Sequence, residues 1–393
     1  MIAPTKSRKR KVCFVITNRV HYARQKLLLE HLRGHPALEL QLVVGGSALL
    51  SRHSDTLSLI EQDGFDPAEK LYMVIEGGDN IAMAKTTGLA ILEFTNTFQK
   101  LNPDIVLIRG DRYEMLAAAT AAAYLNKTVA HIEGGEVTGT IDESVRHAIT
   151  KLSHLHFVTN EDARRRVIQM GENPAYVFLV GSPDIEQVLH SNNQKIGTKI
   201  LAGLNNRGTG PRLNFSNEYL VVIYHPVTTE PHQDKITNKL LGVVESLRLP
   251  SVWFWPNIDA GTDQVSKAIR QFHERNQSSP IRFIRDIPAD DFIVLLRNSS
   301  CLVGNSSAGI KECSYLGVPV VNIGTRQNGR LRGGNVIDVG YSGKEIKKAI
   351  QHQLKVGRYP VSDIYYQPKV SEKIAKILST VPLYVQKRFH DSK

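Results

Sequence analysis

The stretch Ile105–Glu133, IVLIRGDRYEMLAAATAAAYLNKTVAHIE, changes periodicity twice within its length. A short β-branched apolar run, Ile105–Ile108, gives way to a helical stretch, Arg112–Leu125, and then to a second apolar run, Thr128–Ile132. Apolar residues at nearly every position suit strands covered on both faces. Strands that alternate with helices assemble into a parallel sheet. The unit repeats outward. Val12–Thr17, Leu40–Val44, Phe157–Thr159 and Tyr176–Val180 read as further strands, and Tyr22–Leu32, Met83–Leu101 and Ile141–Leu152 as helices.

The pattern lapses over Asn192–Asn217, which is rich in Asn, Gly and Lys and reads as a short helix plus a loop. It then restarts. Tyr219–Tyr224, Ser251–Trp255, Ile281–Ile284, Cys301–Val303 and Val320–Ile323 are predicted strands. Lys235–Leu247, Asp263–Arg275, Asp290–Arg297 and Ala308–Leu316 are predicted helices. The fold class that follows is α/β, with two doubly wound Rossmann-like domains facing a cleft. The division is a first domain over 1–190, a second over 191–365, and a C-terminal helix in 366–393 that returns to the first domain.

In open α/β sheets, ligands bind beyond the carboxyl ends of the strands. Asp111 lies just past one strand, Glu133 just past the next, and Asp142 opens a following helix. Asp111 and Asp142 equally suit helix caps and N-terminal charges. Glu133 follows its strand directly, and the Gly134-Gly135 pair after it leaves room for a ligand. Three carboxylates in one place suit acid/base work. In the second half His225 ends a strand, and the run CLVGNSSAGIKEC turns from strand to helix through Ser306 and Ser307. Backbone N–H groups and hydroxyls at such a turn form an anion site. Glu312, further along, can reach a ribose diol. Arg326 and Arg330 can neutralise a diphosphate.

These residues resemble the hydrolysing UDP-N-acetylglucosamine 2-epimerases, of the sialic and legionaminic acid biosynthesis type. The resemblance runs from about Lys11 to the end. It is strongest in RGDRYEMLAAATAAA, AHIEGGEVTGTIDESVRHAITKLSHLHFVTN, YHPVTTE, FWPNIDAG and GNSSAGIKECSYLGVPVVNIGTRQNGR. The long run after His131 is similar to the hydrolysing branch and unlike the reversible one, whose corresponding run reads HVEAGLRTGD. The chain also resembles the epimerase half of the bifunctional epimerase/kinase of animal sialic acid synthesis, and no kinase is expected after Lys393. The resemblance implies a glycosyltransferase type B fold. It implies a reaction in which UDP leaves C1 as the C2 proton is removed, and water then adds to the 2-acetamidoglucal. It implies Asp111, Glu133 and Asp142 as the acid/base set, and His225, Ser306 and Ser307 on the diphosphate. Glu312 would hold the ribose, and Arg19, Arg112, Asn257 and Arg326 would line the cleft. One turn departs from the family. TNRVHYARQK keeps Arg19 and Tyr22, but His21 replaces the acidic residue expected between them. The sugar is therefore read as UDP-N-acetylglucosamine or its 2,4-diacetamido-2,4,6-trideoxy analogue.

The remaining composition sets boundaries. The chain has 393 residues and a formal charge of +11. The charge is scattered apart from Lys6–Lys11, and only two Trp are present. A nucleic-acid partner is not expected, because no basic stretch is interleaved with aromatics. Nor is a membrane partner, because no apolar run reaches roughly 18 residues. No export signal is read at the N-terminus. Three irregularly spaced cysteines fit a reducing cytoplasm. No GxGxxG or Walker sequence follows a strand, so neither a dinucleotide cofactor nor any other is expected. No metal-ligand spacing is visible. The expected partners are a UDP-sugar substrate and further copies of the chain, as a homo-oligomer, dimer or tetramer. The rival readings are a reversible epimerase, a glycosyltransferase on the same scaffold and a non-catalytic polyanion-binding protein.

Overall fold

A computed structural model describes residues 8–50, 56–191, 198–256, 259–285 and 287–391. Part of the basic N-terminal run, part of the linker and Asn257 lie outside the described residues. The first sheet contains β1 (Arg10–Ile16), β2 (Leu38–Gly45), β3 (Glu69–Leu71), β4 (Ile105–Arg109), β5 (Thr128–Ile132), β6 (Leu155–Val158) and β7 (Val177–Leu179). Their spatial order is β3-β2-β1-β4-β5-β6-β7. The second sheet contains β8 (Leu220–Ile223), β9 (Ser251–Phe254), β10 (Ile281–Ile284), β11 (Cys301–Gly304), β12 (Val320–Ile323) and β13 (Val336–Val339), in the order β10-β9-β8-β11-β12-β13. Every pairing between these strands is parallel, with Val12 opposite Ile105 and Val303 opposite Val222. The two domains form the glycosyltransferase type B arrangement.

Helices cover both faces of each sheet, so the central strands β4, β5, β8 and β11 are buried along their whole length. Phe14, Ile16, Leu107 and Phe157 share one core in the first domain. Trp253, Phe283, Val303 and Val321 share one in the second. Each fully buried side chain of this size stabilises the fold by about 1.5–3 kcal/mol. The helix Val370–Thr380 places Val370, Ile374 and Leu378 in the first domain's core, against the helix Lys26–Gly34. Among the described residues, no helix is long and apolar enough to cross a membrane.

Two predicted helices are broken. Tyr22–Leu32 is divided into Arg19–Ala23 and Lys26–Gly34. The first begins earlier than predicted because Asn18 caps it, accepting the His21 N–H at 2.9 Å. Ala308–Leu316 is divided at Lys311 into Ser307–Ile310 and Glu312–Leu316. Both breaks fall at the cleft. The strand order also locates the cleft. It reverses between β1 and β4 and again between β8 and β11, and a crevice opens at each reversal.

Candidate active site

The two crevices face each other and merge. Asn18 and His21 follow β1, Asp111 and Arg112 follow β4, and Glu133 follows β5; all line one cavity. His225 after β8, and Ser306 and Ser307 after β11, line the opposite wall of the same cavity with Lys311 and Arg326, while Asp142, from the helix Ile141–Leu152, lines it from the first domain. Arg19 and Glu312 line an adjoining, more apolar recess walled by Phe254, Trp255, Ile287 and Phe292. The recess and the cavity share Val20, Arg24, His225 and Ser306, so they are continuous.

Glu133 has φ of 70°, in the left-handed region, a strained geometry for a residue with a side chain. The Arg109 guanidinium grips its carboxylate through Nε at 3.1 Å and Nη2 at 2.8 Å. Lys311 Nζ reaches the same carboxylate at 2.8 Å from the second domain. Burial pushes the carboxyl up, but the two cations outweigh it and hold Glu133 well below the usual carboxylate range. Such a group is a fixed anion with no proton to give near neutral pH. Asp111 accepts from the buried guanidinium of Arg146, which also donates to the Glu136 carbonyl at 2.9 Å. Asp142 sits in the first turn of the helix Ile141–Leu152, capped by Thr140. Asp111 and Asp142 are less buried than Glu133 and face the same space.

In the second domain Asn305 joins the two strand ends. Its side chain accepts the His225 N–H and donates to the His225 carbonyl, both at 2.8 Å. Its own carbonyl accepts from Arg326 Nη1 at 3.1 Å and Gln327 at 2.8 Å. Gly304 has φ of 137°, and a Cβ there would lie 2.0 Å from the Ile223 carbonyl oxygen, so only glycine permits this approach of β11 to β8. Burial first, then the Arg326 charge, pushes His225 down to about 3, so the imidazole is neutral at physiological pH. Burial, Arg109 and Arg112 likewise hold His21 well below its ordinary value. Ser306 caps a helix of only four residues. A macrodipole needs a longer stack of peptides, so anion attraction here rests on the N–H groups, the hydroxyls and Arg326.

Glu312 is buried and its Oε1 accepts from Arg24 Nη2 at 2.6 Å. Among the described residues its Oε2 has no hydrogen-bond partner. Burial raises its carboxyl, against the pull of Arg24. An orphaned buried oxygen beside a recess is what a ligand hydroxyl would satisfy. Arg112 is taken by Glu114 at 3.0 Å and Asp259 at 2.7 Å, so it joins the domains across the cleft. Arg330, read with Arg326 as able to neutralise a diphosphate, lines the cavity and pairs with the buried Glu136 at 3.0 Å. Arg109, Asp184, Lys311, Asp259 and the aromatic recess were not singled out from sequence. Arg109 carried one signal, a charge at the end of an otherwise apolar strand. His131, His154 and His156 are buried and hydrogen-bonded to Gly110, Val385 and Glu172. Among the described residues no cluster of His, Cys, Asp or Glu is arranged to hold a metal ion.

Comparison with known proteins agrees with this geometry. The family model described as UDP-N-acetylglucosamine 2-epimerase matches residues 30–379. The UDP-N,N'-diacetylbacillosamine 2-epimerase (hydrolyzing) of Legionella pneumophila is 35% identical over 96% of this chain and 97% of its own. The UDP-N-acetylglucosamine 2-epimerase of Neisseria meningitidis serogroup B is 33% identical over 98% and 99%. The UDP-GlcNAc 2-epimerase of Methanocaldococcus jannaschii, solved with UDP-GlcNAc and UDP, superposes with a TM-score of 0.76 at 17% identity, covering 94% of this chain and 99% of that one. Two opposed switch-point crevices, one merged cleft and a match spanning both domains lead to one conclusion: this chain belongs to the UDP-N-acetylglucosamine 2-epimerase family and is a UDP-sugar 2-epimerase.

Proposed function

We propose that the enzyme is a hydrolysing 2-epimerase that converts UDP-N-acetylglucosamine and water to UDP and N-acetylmannosamine. The observation that carries this reading is the interdomain cavity with carboxylates on one wall and the GNSS turn on the other. Uracil would enter the aromatic recess, and a ribose hydroxyl would donate to the orphaned Glu312 Oε2. The diphosphate would lie on Ser306, Ser307, the neutral His225 and Arg326, which stabilise the charge on departing UDP.

The sugar then lies against the carboxylates. As the C1–O bond breaks, its electrons leave with UDP and C1 gains oxocarbenium character. The fixed anion Glu133 stabilises that charge and moves no proton. Asp111 and Asp142, on the more open side, carry the protons. One removes the C2 proton, and the C–H electrons form the double bond of the glucal. The other, carrying a solvent-derived proton, delivers it to C2 on the opposite face as water adds its oxygen to C1, and water's released proton goes to the first carboxylate, which has given the abstracted proton to solvent. No cofactor is assigned a step.

A second reading is UDP-2,4-diacetamido-2,4,6-trideoxyglucose as substrate. The Legionella relative favours it. So does a further space, reached past Met83 and Tyr113 and walled by Val74, Ile75 and Ala82 together with Glu76, Asp79 and Asp263, which leaves room for bulkier substituents. Incubating the protein with each UDP-sugar in D₂O and following products by NMR tests both. The expected products are UDP and a free sugar with deuterium at C2. Product still linked to UDP would point to reversible epimerisation, and consumption of neither sugar would overturn the proposal.

A further inference from the structure

Six buried charged side chains form a ring across the cleft. Glu312 pairs with Arg24 at 2.6 Å, and Arg24 with Asp184 at 3.4 Å. Asp184 pairs with Arg109 at 2.5 Å, Arg109 with Glu133 at 2.8 Å, and Glu133 with Lys311 at 2.8 Å. Lys311 and Glu312 are consecutive, so one peptide unit closes the ring. None of the six side chains is more than 17% exposed. The second domain supplies Lys311 and Glu312, and the first supplies the other four.

The break between the two short helices falls at Lys311, with φ of −96° and ψ of −74°. It sends the two consecutive side chains apart, Glu312 to the nucleotide recess and Lys311 to the carboxylate wall. The Lys311 N–H donates to the Ser307 carbonyl at 2.9 Å. The lysine backbone is therefore fixed to the same turn that carries the diphosphate hydroxyls. Its Nζ also meets Glu136 at 2.9 Å, which prevents it from swinging away from Glu133.

We propose that Lys311 is a positioning residue that ties the GNSS turn to Glu133, so that seating the nucleotide sets the catalytic carboxylate in place. This rests on the functional reading above, in which Glu133 faces C1. Because Lys311 belongs to the second domain, Glu133 has its second cation only while the two domains meet as they do here. The other charged or titratable groups around Glu133 are Arg109 on β4, His131 on β5, His21 after β1, Asp184, Glu136, Arg330 and Tyr365.

The test compares Lys311→Gln and Lys311→Arg in the full-length enzyme. With one cation gone, Glu133 takes up a proton at higher pH. A rate that needs the anion must then fall away on the acidic side at higher pH than in the wild type. Lys311→Gln should lower kcat by about tenfold to a hundredfold, leave KM and UDP affinity within about threefold, and move the acidic limb of kcat upward. Lys311→Arg, which keeps the charge, should recover most of kcat and return the limb. A wild-type profile in Lys311→Gln overturns the proposal. So does equal loss in both variants with lower melting temperatures and no change in the limb. Inactivity of the wild type on both sugars would overturn the functional reading instead. The Lys311 link is then decided by the Glu133 titration in carboxyl-¹³C NMR, which Lys311→Gln should shift upward and which refutes the link if unmoved.

Discussion

Gly139→Ala tests whether catalysis depends on how closely the two domains meet. Gly139 lies in the loop after β5, and its N–H donates to the Arg326 carbonyl of the second domain at 3.2 Å. An alanine Cβ there would sit 1.9 Å from the Thr325 carbonyl oxygen, whereas Cβ atoms do not approach other atoms within 3.0 Å. The two backbones must part by about 1 Å, a misplacement that costs roughly 10²-fold in rate when reacting groups depend on alignment. The same gap is spanned by Lys311–Glu133 at 2.8 Å and Arg330–Glu136 at 3.0 Å, and both pairs would lengthen. We expect kcat, measured by UDP release, to fall about 10²-fold. UDP affinity by calorimetry should stay within about threefold, because the turn and recess belong mainly to the second domain. The melting temperature should change little, because position 139 belongs to neither sheet's core. Gly88→Ala is the control. Nothing lies within 4 Å of its Cβ position inside the helix Asn80–Leu101, so it should gain roughly 0.5–1 kcal/mol and keep full activity. A Gly139→Ala enzyme with kcat within threefold of wild type, or with UDP binding lost as severely as turnover, would refute the reasoning.

Asp111→Asn and Asp142→Asn should each reduce turnover about 10²-fold or more, as loss of a general acid or base does, with UDP affinity within about tenfold; near-normal turnover in folded variants would leave both as caps. Replacing Ser306 and Ser307 together by alanine should weaken UDP binding in calorimetry without abolishing it, since the backbone donors remain; unchanged affinity would place the diphosphate elsewhere. Glu172 is buried and pairs with Lys387 at 2.7 Å, Lys151 at 2.6 Å and His156 at 3.1 Å. Burial raises its carboxyl, but these partners outweigh it and bring it to about 2, from an ordinary 4.5. A depressed carboxyl adds stability that is complete above the ordinary value and is lost as pH falls toward 2. Glu172→Gln should therefore cost about 3 kcal/mol in urea unfolding at neutral pH, with the difference shrinking between pH 4.5 and 2, and a difference independent of pH would contradict the pairing.

The alternation of apolar runs and helices was enough to place both sheets, because a strand covered on both faces must be apolar throughout. Two strands escaped for the opposite reason. β3 and β13 lie at sheet edges, pair on one side only and are partly exposed, so Glu69–Leu71 and Val336–Val339 carry no continuous apolar signature. The polar residues just past the strand ends were legible for the same physical reason that ligands bind there. Asp111, Glu133, Asp142, His225, Ser306 and Ser307 do meet in one cavity.

Tertiary structure alone decided how those residues are charged and joined. Positions 109, 133 and 311 are far apart in the chain, and only the parallel pairing of β4 with β5 and the facing of the second domain bring Arg109 and Lys311 onto Glu133. That contact holds the Glu133 carboxyl well below the usual carboxylate range, which nothing in its own segment of sequence foretells. The same holds for Glu312, whose partner Arg24 lies 288 residues away. Periodicity reports the local conformation and burial of each segment. The protonation of a buried group is set by whichever distant charges packing brings within about 3 Å of it, and no local pattern encodes that distance.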